Sequence, residues 1–564
     1  MKEWLHRTHG PFFELLRHFL QRFFDSDLIT APGQMAGPLI GIFSLFLPWF
    51  NMLVGMLRQK YAHFGGLPTA GPFRHVVRAD ELWLVTGMMS AIGLVTAVEW
   101  ESVFPSLRDY RSLGTLPLRT WQIFAAKLVA LLVVITATVL TLNFLPSVGF
   151  PAVSASRWQF GQGMGVRVLA HVAACTSASY FFFFGLVALQ GVFLNLLRPR
   201  AFGQVTGYVQ GLLVAVMLVL IVLSFSIDAR ITDMLLQPQW ARWLPPVWFL
   251  GVYQAVLGDP DPAMQVLAHR AWMALEIALA LALLTYLISY RRHRELLVEG
   301  LTKPSRDRRW AGALLRLLVP DPRQQAITVF MVKTLARSSR HRMILMGYCG
   351  FGFAILMSGI LGVRSAVAPD RVAAATFIYA HVVFLAFLLI GLRHLFAIPT
   401  ELPANWMFRL TEREGRADWL RAVDRFVLMN GVAVMLLAPF PLELKLVGWH
   451  AVVEVVLFGG FALMCYEWTF SSWEKLPFTC SHLPGKTPMW IRFLQFLGLL
   501  GVLELVFYIL LSGVYYPTVF LVVMTVQLAV WKRIHAARQD GWGEQRLKYE
   551  ETPEQAIHGL NLLS

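Results

Sequence analysis

The chain has 564 residues, of which 57% are apolar and 15% charged, with 49 Lys+Arg against 34 Asp+Glu for a net charge of +15. Soluble proteins run at about 45–50% apolar with glycine counted and about 25% charged, so this apolar surplus needs lipid as a second solvent. A soluble enzyme, a disordered chain and a collagen-like fibre are excluded. Continuous apolar runs of about 20 residues also weigh against a β-barrel, whose strands alternate over about 10.

In chain order, residues 1–28 interleave Phe12, Phe13, Phe19, Phe23 and Phe24 with Arg and His at helical spacing. This predicts an amphipathic helix lying on a membrane surface rather than a cleaved leader, with an ordinary solvated first turn as the plainer alternative. Twelve spans are expected near 36–57, 82–99, 123–147, 168–194, 205–226, 270–290, 343–362, 372–396, 425–442, 450–468, 493–513 and 516–532, since about 20 residues cross a hydrocarbon core. Pro48 weakens the first, and Pro439 with Pro441 the ninth. The outer segment 227–269, rich in Trp and broken by Pro245, Pro246 and the turn 259–262, reads as short interfacial helices.

The fold class is an all-α polytopic membrane protein of about 12 transmembrane helices arranged 6+6, with amphipathic interfacial helices and short cytoplasmic coupling helices. Residues 1–290 form a first six-span half, 291–325 a basic linker, 326–532 a second half and 533–564 a tail. Arg and Lys in 291–325 place that linker in the cytoplasm, and counting spans places both termini there too. Most of the basic excess then marks cytoplasmic loops rather than a nucleic-acid surface. One stretch disagrees: 58–81 falls on the outer side, yet holds Arg58, Lys60, Arg74 and Arg78. The halves share a layout, each opening with a basic interfacial helix (11–28, then 327–343), although their residues hardly repeat.

The chemistry-bearing residues are few. The four cysteines, Cys175, Cys349, Cys465 and Cys480, form no CxxC pair, and neither a disulfide framework nor a metal site is indicated. Glu474, Cys480 and His482 lack the further ligands a metal would need. The Pro-Gly-Lys-Thr at 484–487 lacks the earlier glycine of a phosphate loop. Ionisable residues inside spans are costly and therefore candidates for a translocation path: Glu276, His381, Glu454 and Glu504.

Glu99 to Lys127 is the most informative stretch. Glu99-Trp-Glu101 closes a span. Phe104 and Pro105 suit a helix start, Arg108, Asp109, Tyr110 and Arg111 follow, and Leu113, Leu116, Pro117, Leu118 and Arg119 lead into a span holding Lys127. This reads as a short, proline-bounded amphipathic helix at the membrane surface. It resembles the coupling region of ABC-2-type permeases, the membrane subunits of ABC exporters, in its glutamate, short helix, Leu-x-x-x-Pro-Leu-x-Arg stretch and early lysine. The resemblance covers about residues 1–300. It implies a bacterial inner-membrane permease whose interface with an ATPase includes Glu99, Glu101, Arg108, Asp109, Tyr110, Arg111, Leu116, Pro117 and Arg119. The corresponding loop of the second half, 396–426, offers Asn405, Trp406 and Arg409 but lacks the Leu-Pro-Leu-x-Arg stretch.

The resemblance further implies that the chain is not itself an enzyme and holds no cofactor, with ATP and Mg²⁺ carried by two copies of a separate ATPase subunit, and that an amphipathic or lipid-like substrate moves outward. Two other readings stay open. One is a proton-coupled secondary transporter using Glu276, Glu454 and Glu504. The other is a membrane enzyme for lipid-linked substrates built on His63, His75, Asp80 and Glu81.

Overall fold

The computed structural model describes residues 11–21, 54–64, 70–100, 103–104, 120–155, 160–197, 199–225, 227–241, 243–296, 321–366, 371–400, 405–411, 417–471, 473, 475–480 and 489–540. The described residues form helices and no strands, and eleven of the helices are long and apolar enough to cross a membrane. The protein is thus a multi-pass α-helical membrane protein. The chain divides into two compact units, 1–302 and 303–564. Five of the eleven spans lie in the first and six in the second. The expected span 36–57 lies outside the described residues up to 53.

In the first unit, α1 (11–21) and α2 (54–64) precede the spans α3 (Ala70–Val98), α4 (Thr120–Val153), α5 (Met164–Leu196) and α6 (Pro199–Ser224). Three short helices follow, α7 (Ala229–Leu235), α8 (Pro238–Ala241) and α9 (Pro245–Leu257), and then the span α10 (Pro262–Leu296). The short helices fall where Trp and Pro predict them. Each has a local cause: Asp228 caps α7 by accepting from the Ile231 amide at 2.8 Å, Pro238 opens α8, and Pro245 and Pro246 open α9. Gly258, in the left-handed region at φ 76°, ends α9. Trp240 and Trp243 remain 49% and 80% exposed, as side chains at a lipid–water boundary would be.

The spans α5 and α10 approach closely. A Cβ on Gly191 would collide with the Thr285 side chain, and Asn195 donates to the Thr285 carbonyl and to Ser289 Oγ, both at 3.1 Å. Small residues at such crossings let backbones touch, and side-chain amides then join the helices.

The stretch 58–81 is not a loop. It is helical at 58–64 and again from Ala70, the start of α3. Its cations have partners: Lys60 lies 2.7 Å from Asp80, Arg78 pairs with Asp259, and the Arg74 guanidinium sits 4.3 Å over the Phe160 ring. Phe160, Asp233 (2.9 Å from His75) and Asp259 all belong to connections at one end of the bundle. That end also carries α7–α9, and α3 runs from it toward loop 99–119. Three of the four basic residues that broke the charge rule, Lys60, Arg74 and Arg78, are thus neutralised or stacked locally and need not face the basic side of the membrane, while Arg58 is exposed.

The second unit holds α11 (Pro322–Arg337), α12 (Ser339–Ala366), α13 (Val372–Phe396), α14 (Trp406–Thr411) and α15 (Ala417–Val427). A π-helical turn, Leu428–Ala433, leads to α16 (Val434–Leu437) and α17 (Phe440–Val447). The unit ends with α18 (His450–Phe470), α19 (Met489–Tyr515) and α20 (Pro517–Asp540). Its core gathers Val382, Leu385, Leu392, Phe396, Phe426, Phe458, Tyr466 and Phe507 from four of these helices. The expected ninth span is present as one run of helix from Trp419 to Val447, with a π-helical turn inside it and a turn at 438–439. Pro439 precedes α17, Pro441 sits in its first turn, and Gly448 at φ 69° turns the chain into α18.

Candidate functional site

Two constellations stand out, one in each unit. In the first unit, the residues flanking loop 99–119 are clamped from three spans. Gln190 of α5 donates to the Trp100 carbonyl at 2.7 Å. Gln210 of α6 donates to the Ala97 and Val98 carbonyls at 3.1 and 3.3 Å. These amides satisfy carbonyls that the end of α3 leaves without helical partners. Trp100, Val103 and Phe104 are buried.

Tyr286 of α10 holds both sides of the loop. Its ring stacks on Phe104 with centroids 5.0 Å apart and meets Phe124 edge-on at 5.6 Å, while its hydroxyl donates to the Phe124 carbonyl at 3.1 Å. Helix α1 packs on the first turns of α4 through Leu15 and Phe19 against Ile123, Ala126 and Ala130. The buried Lys127 ammonium lies 5.4 Å from the Phe19 ring centroid, a cation–π contact. Of the residues expected at the interface, Glu99 continues the end of α3, its amide donating to the Val95 carbonyl at 3.0 Å. Glu101, Arg108, Asp109, Tyr110, Arg111, Leu116, Pro117 and Arg119 lie outside the described residues.

In the second unit, Asn405 is buried and donates to the Thr479 carbonyl at 2.7 Å, fastening the start of α14 to the connection after α18. The Phe478 amide donates to the Phe396 carbonyl at 2.9 Å and the Thr400 amide to the Phe478 carbonyl at 3.2 Å. Asn405 therefore anchors this region from within. Trp406, 62% exposed on α14, is open to a partner. Arg409 lies on α14, and its side chain is outside the described residues.

The second constellation is buried among the spans of the same unit. His381 of α13 directs Nδ1 at Glu454 Oε1 of α18, 3.1 Å away, and Nε2 at Glu443 Oε1 of α17, 3.3 Å away. His381 is 3% exposed, Glu454 1% and Glu443 0%. One potential ligand atom from each residue lies within 4.8 Å of the others, the only such His/Cys/Asp/Glu triple among the described residues. Phe458 covers the imidazole at 5.1 Å. The end of the ninth span places Glu443: α17, following the turn at 438–439, carries this carboxylate to a fully buried position.

Of the four expected path residues, the structure joins His381 with Glu454. Glu276 and Glu504 project from exposed helix faces and are not brought to this cluster. Glu443 was missed because it lies at the edge of a proline-broken apolar run, where an acid reads as a loop residue. His75, Asp80 and Glu81 do not converge either. They contact Asp233, Lys60 with Tyr61, and Gln254 respectively.

A further ionic network ties α20 to α15 and α18. Arg538 donates to Asp424 Oδ1 at 2.6 Å and Glu467 Oε2 at 2.9 Å, and His535 Nδ1 lies 2.6 Å from Glu467 Oε1. Tyr466 donates to Asp424.

Compared with known proteins, the chain matches no family model, no curated protein and no solved structure. Fold and hydropathy alone define its class, a polytopic α-helical membrane protein.

Proposed function

We propose that the protein is the membrane-spanning permease subunit of an ATP-driven exporter, working with separate ATPase subunits in a bacterial inner membrane. The observation that carries this reading is the clamp on loop 99–119. A segment between two spans transmits force only if its ends are fixed to the bundle, and Tyr286, Gln190 and Gln210 fix them to three further helices. A push on the loop from a soluble motor then reaches α4 and α10 together through one aromatic side chain, and α1, docked on α4, shares the displacement. The motor supplies ATP, Mg²⁺ and the phosphoryl chemistry. This chain supplies the lever and the path, and the substrate class is amphipathic or lipid-like.

Co-purification with an ATPase encoded beside this protein tests the reading. Reversing Arg108, Arg111 and Arg409 together to Glu should abolish the association, since like charges facing a complementary surface cost several kcal/mol. Undiminished binding by that variant would remove these loops from the interface. Transport that persists after ATP depletion and follows a pH gradient would replace the motor with a proton-driven mechanism.

A further inference from the structure

We infer that His381, Glu443 and Glu454 form a binding site for a divalent first-row transition-metal ion, with Zn²⁺ as the reference member. Three observations carry this. The first is donor chemistry: one imidazole and two carboxylates are a mixed nitrogen–oxygen set suited to such ions, and three protein ligands leave a fourth position for water.

The second is unsatisfied valence. Both carboxylate oxygens of Glu443 and Oε2 of Glu454 are buried without a hydrogen-bond donor. His381 has only two ring nitrogens, which face Oε1 of Glu443 and Oε1 of Glu454, and that leaves Oε2 of each acid with nothing. Buried polar groups are nearly always paired, and buried carboxylates bind a cation or neutralise.

The third is charge balance. Two carboxylates with a neutral imidazole carry −2, and with an imidazolium still −1, inside a core of Phe458, Leu457 and Val382. A dication with a neutral imidazole brings the cluster to zero and satisfies the orphaned oxygens in the same step. A proton brings less charge and satisfies fewer of them. His381 also has one nitrogen for the ion and one left to hydrogen-bond a carboxylate, the arrangement that orients metal-binding imidazoles elsewhere.

The placement on three elements has a consequence. Helix α17 is a short piece between Pro439 and Gly448, and the ion would pin it to α13 and α18. The inference goes beyond the exporter reading and does not rest on it, because metal binding is measured without transport.

The test uses the full chain in detergent, its affinity tag removed, stripped with EDTA and desalted. Zn²⁺ is added and retained ions are counted by mass spectrometry, while Co²⁺ in place of Zn²⁺ reports ligation through its visible absorption. The wild type should retain about one ion per chain, the stoichiometry of one three-residue site. Glu443→Gln and Glu454→Gln should each retain less than about a tenth of that, with circular dichroism and gel-filtration behaviour unchanged, and with the Co²⁺ absorption lost. If the Gln variants do not fold, Glu443→Asp and the wild-type melting temperature decide. Zn²⁺ but not Mg²⁺ should raise the wild-type melting temperature, and the Asp variant should need at least about tenfold more Zn²⁺ for the same rise. A wild type that retains no ion and shows no Zn²⁺-dependent shift overturns the inference and leaves a proton as the balancing charge. Equal retention by wild type and Glu443→Gln overturns it as well.

Discussion

Removing the Tyr286 ring should release loop 99–119 from the helices around it. Tyr286→Ala loses the stack on Phe104 at 5.0 Å, the edge contact with Phe124 at 5.6 Å and the hydrogen bond to the Phe124 carbonyl at 3.1 Å. Truncating a buried aromatic to alanine costs about 3–5 kcal/mol, and here the cost falls on the local structure that joins α3, α4 and α10. Tyr286→Phe keeps both ring contacts and loses only the hydroxyl, for about 1 kcal/mol. Since about 1.4 kcal/mol is a factor of ten in an opening equilibrium, the alanine variant should raise opening by about two to three and a half decades and the phenylalanine variant about fivefold.

Hydrogen exchange followed by mass spectrometry on protein in lipid nanodiscs reads this directly. Peptides covering 95–104 and 120–128 should exchange faster in that order of severity. Peptides from α18, in the other compact unit, should not change and serve as an internal control. If the 95–104 and 120–128 peptides exchange in Tyr286→Ala as in the wild type, Tyr286 does not hold the loop. The proposed route of force into α10 would then be wrong.

Two further substitutions test the packing that supports these sites. Arg538→Met leaves the part-buried Asp424 and the buried Glu467 without the guanidinium they share, so it should destabilise by about 2–4 kcal/mol in detergent unfolding, and adding Asp424→Asn with Glu467→Gln should recover most of the loss. An unchanged midpoint for Arg538→Met alone would mean the network contributes no stability. Gly191→Ala drives a methyl group into Thr285 and should cost about 1–3 kcal/mol through overpacking, partly relieved by Thr285→Ala, which removes the Oγ1 it meets first. A Gly191→Ala protein as stable as wild type would show that α5 and α10 can separate freely at this crossing.

The local signals were legible because each belongs to a contiguous stretch. Apolar runs gave the class of protein and placed the spans α4–α6, α13 and α18 within a few residues at most ends, while α10 runs several residues further at both ends than expected. Trp and Pro between 227 and 269 announced the short helices that appear there. What misled was charge counted without partners: Arg78 and Lys60 read as loop cations, whereas in the fold Asp259 and Asp80 neutralise them. The sequence by itself determined that this chain lies in a membrane, that it is helical, and which side chains are costly to bury there, since transfer free energy is a property of each segment. Only the tertiary structure decided which of those side chains meet. His381, Glu443 and Glu454 are up to 73 residues apart and share no spacing rule, and Tyr286 is 162 residues from Phe124. Such encounters follow from the crossing of helices, which no hydropathy pattern encodes.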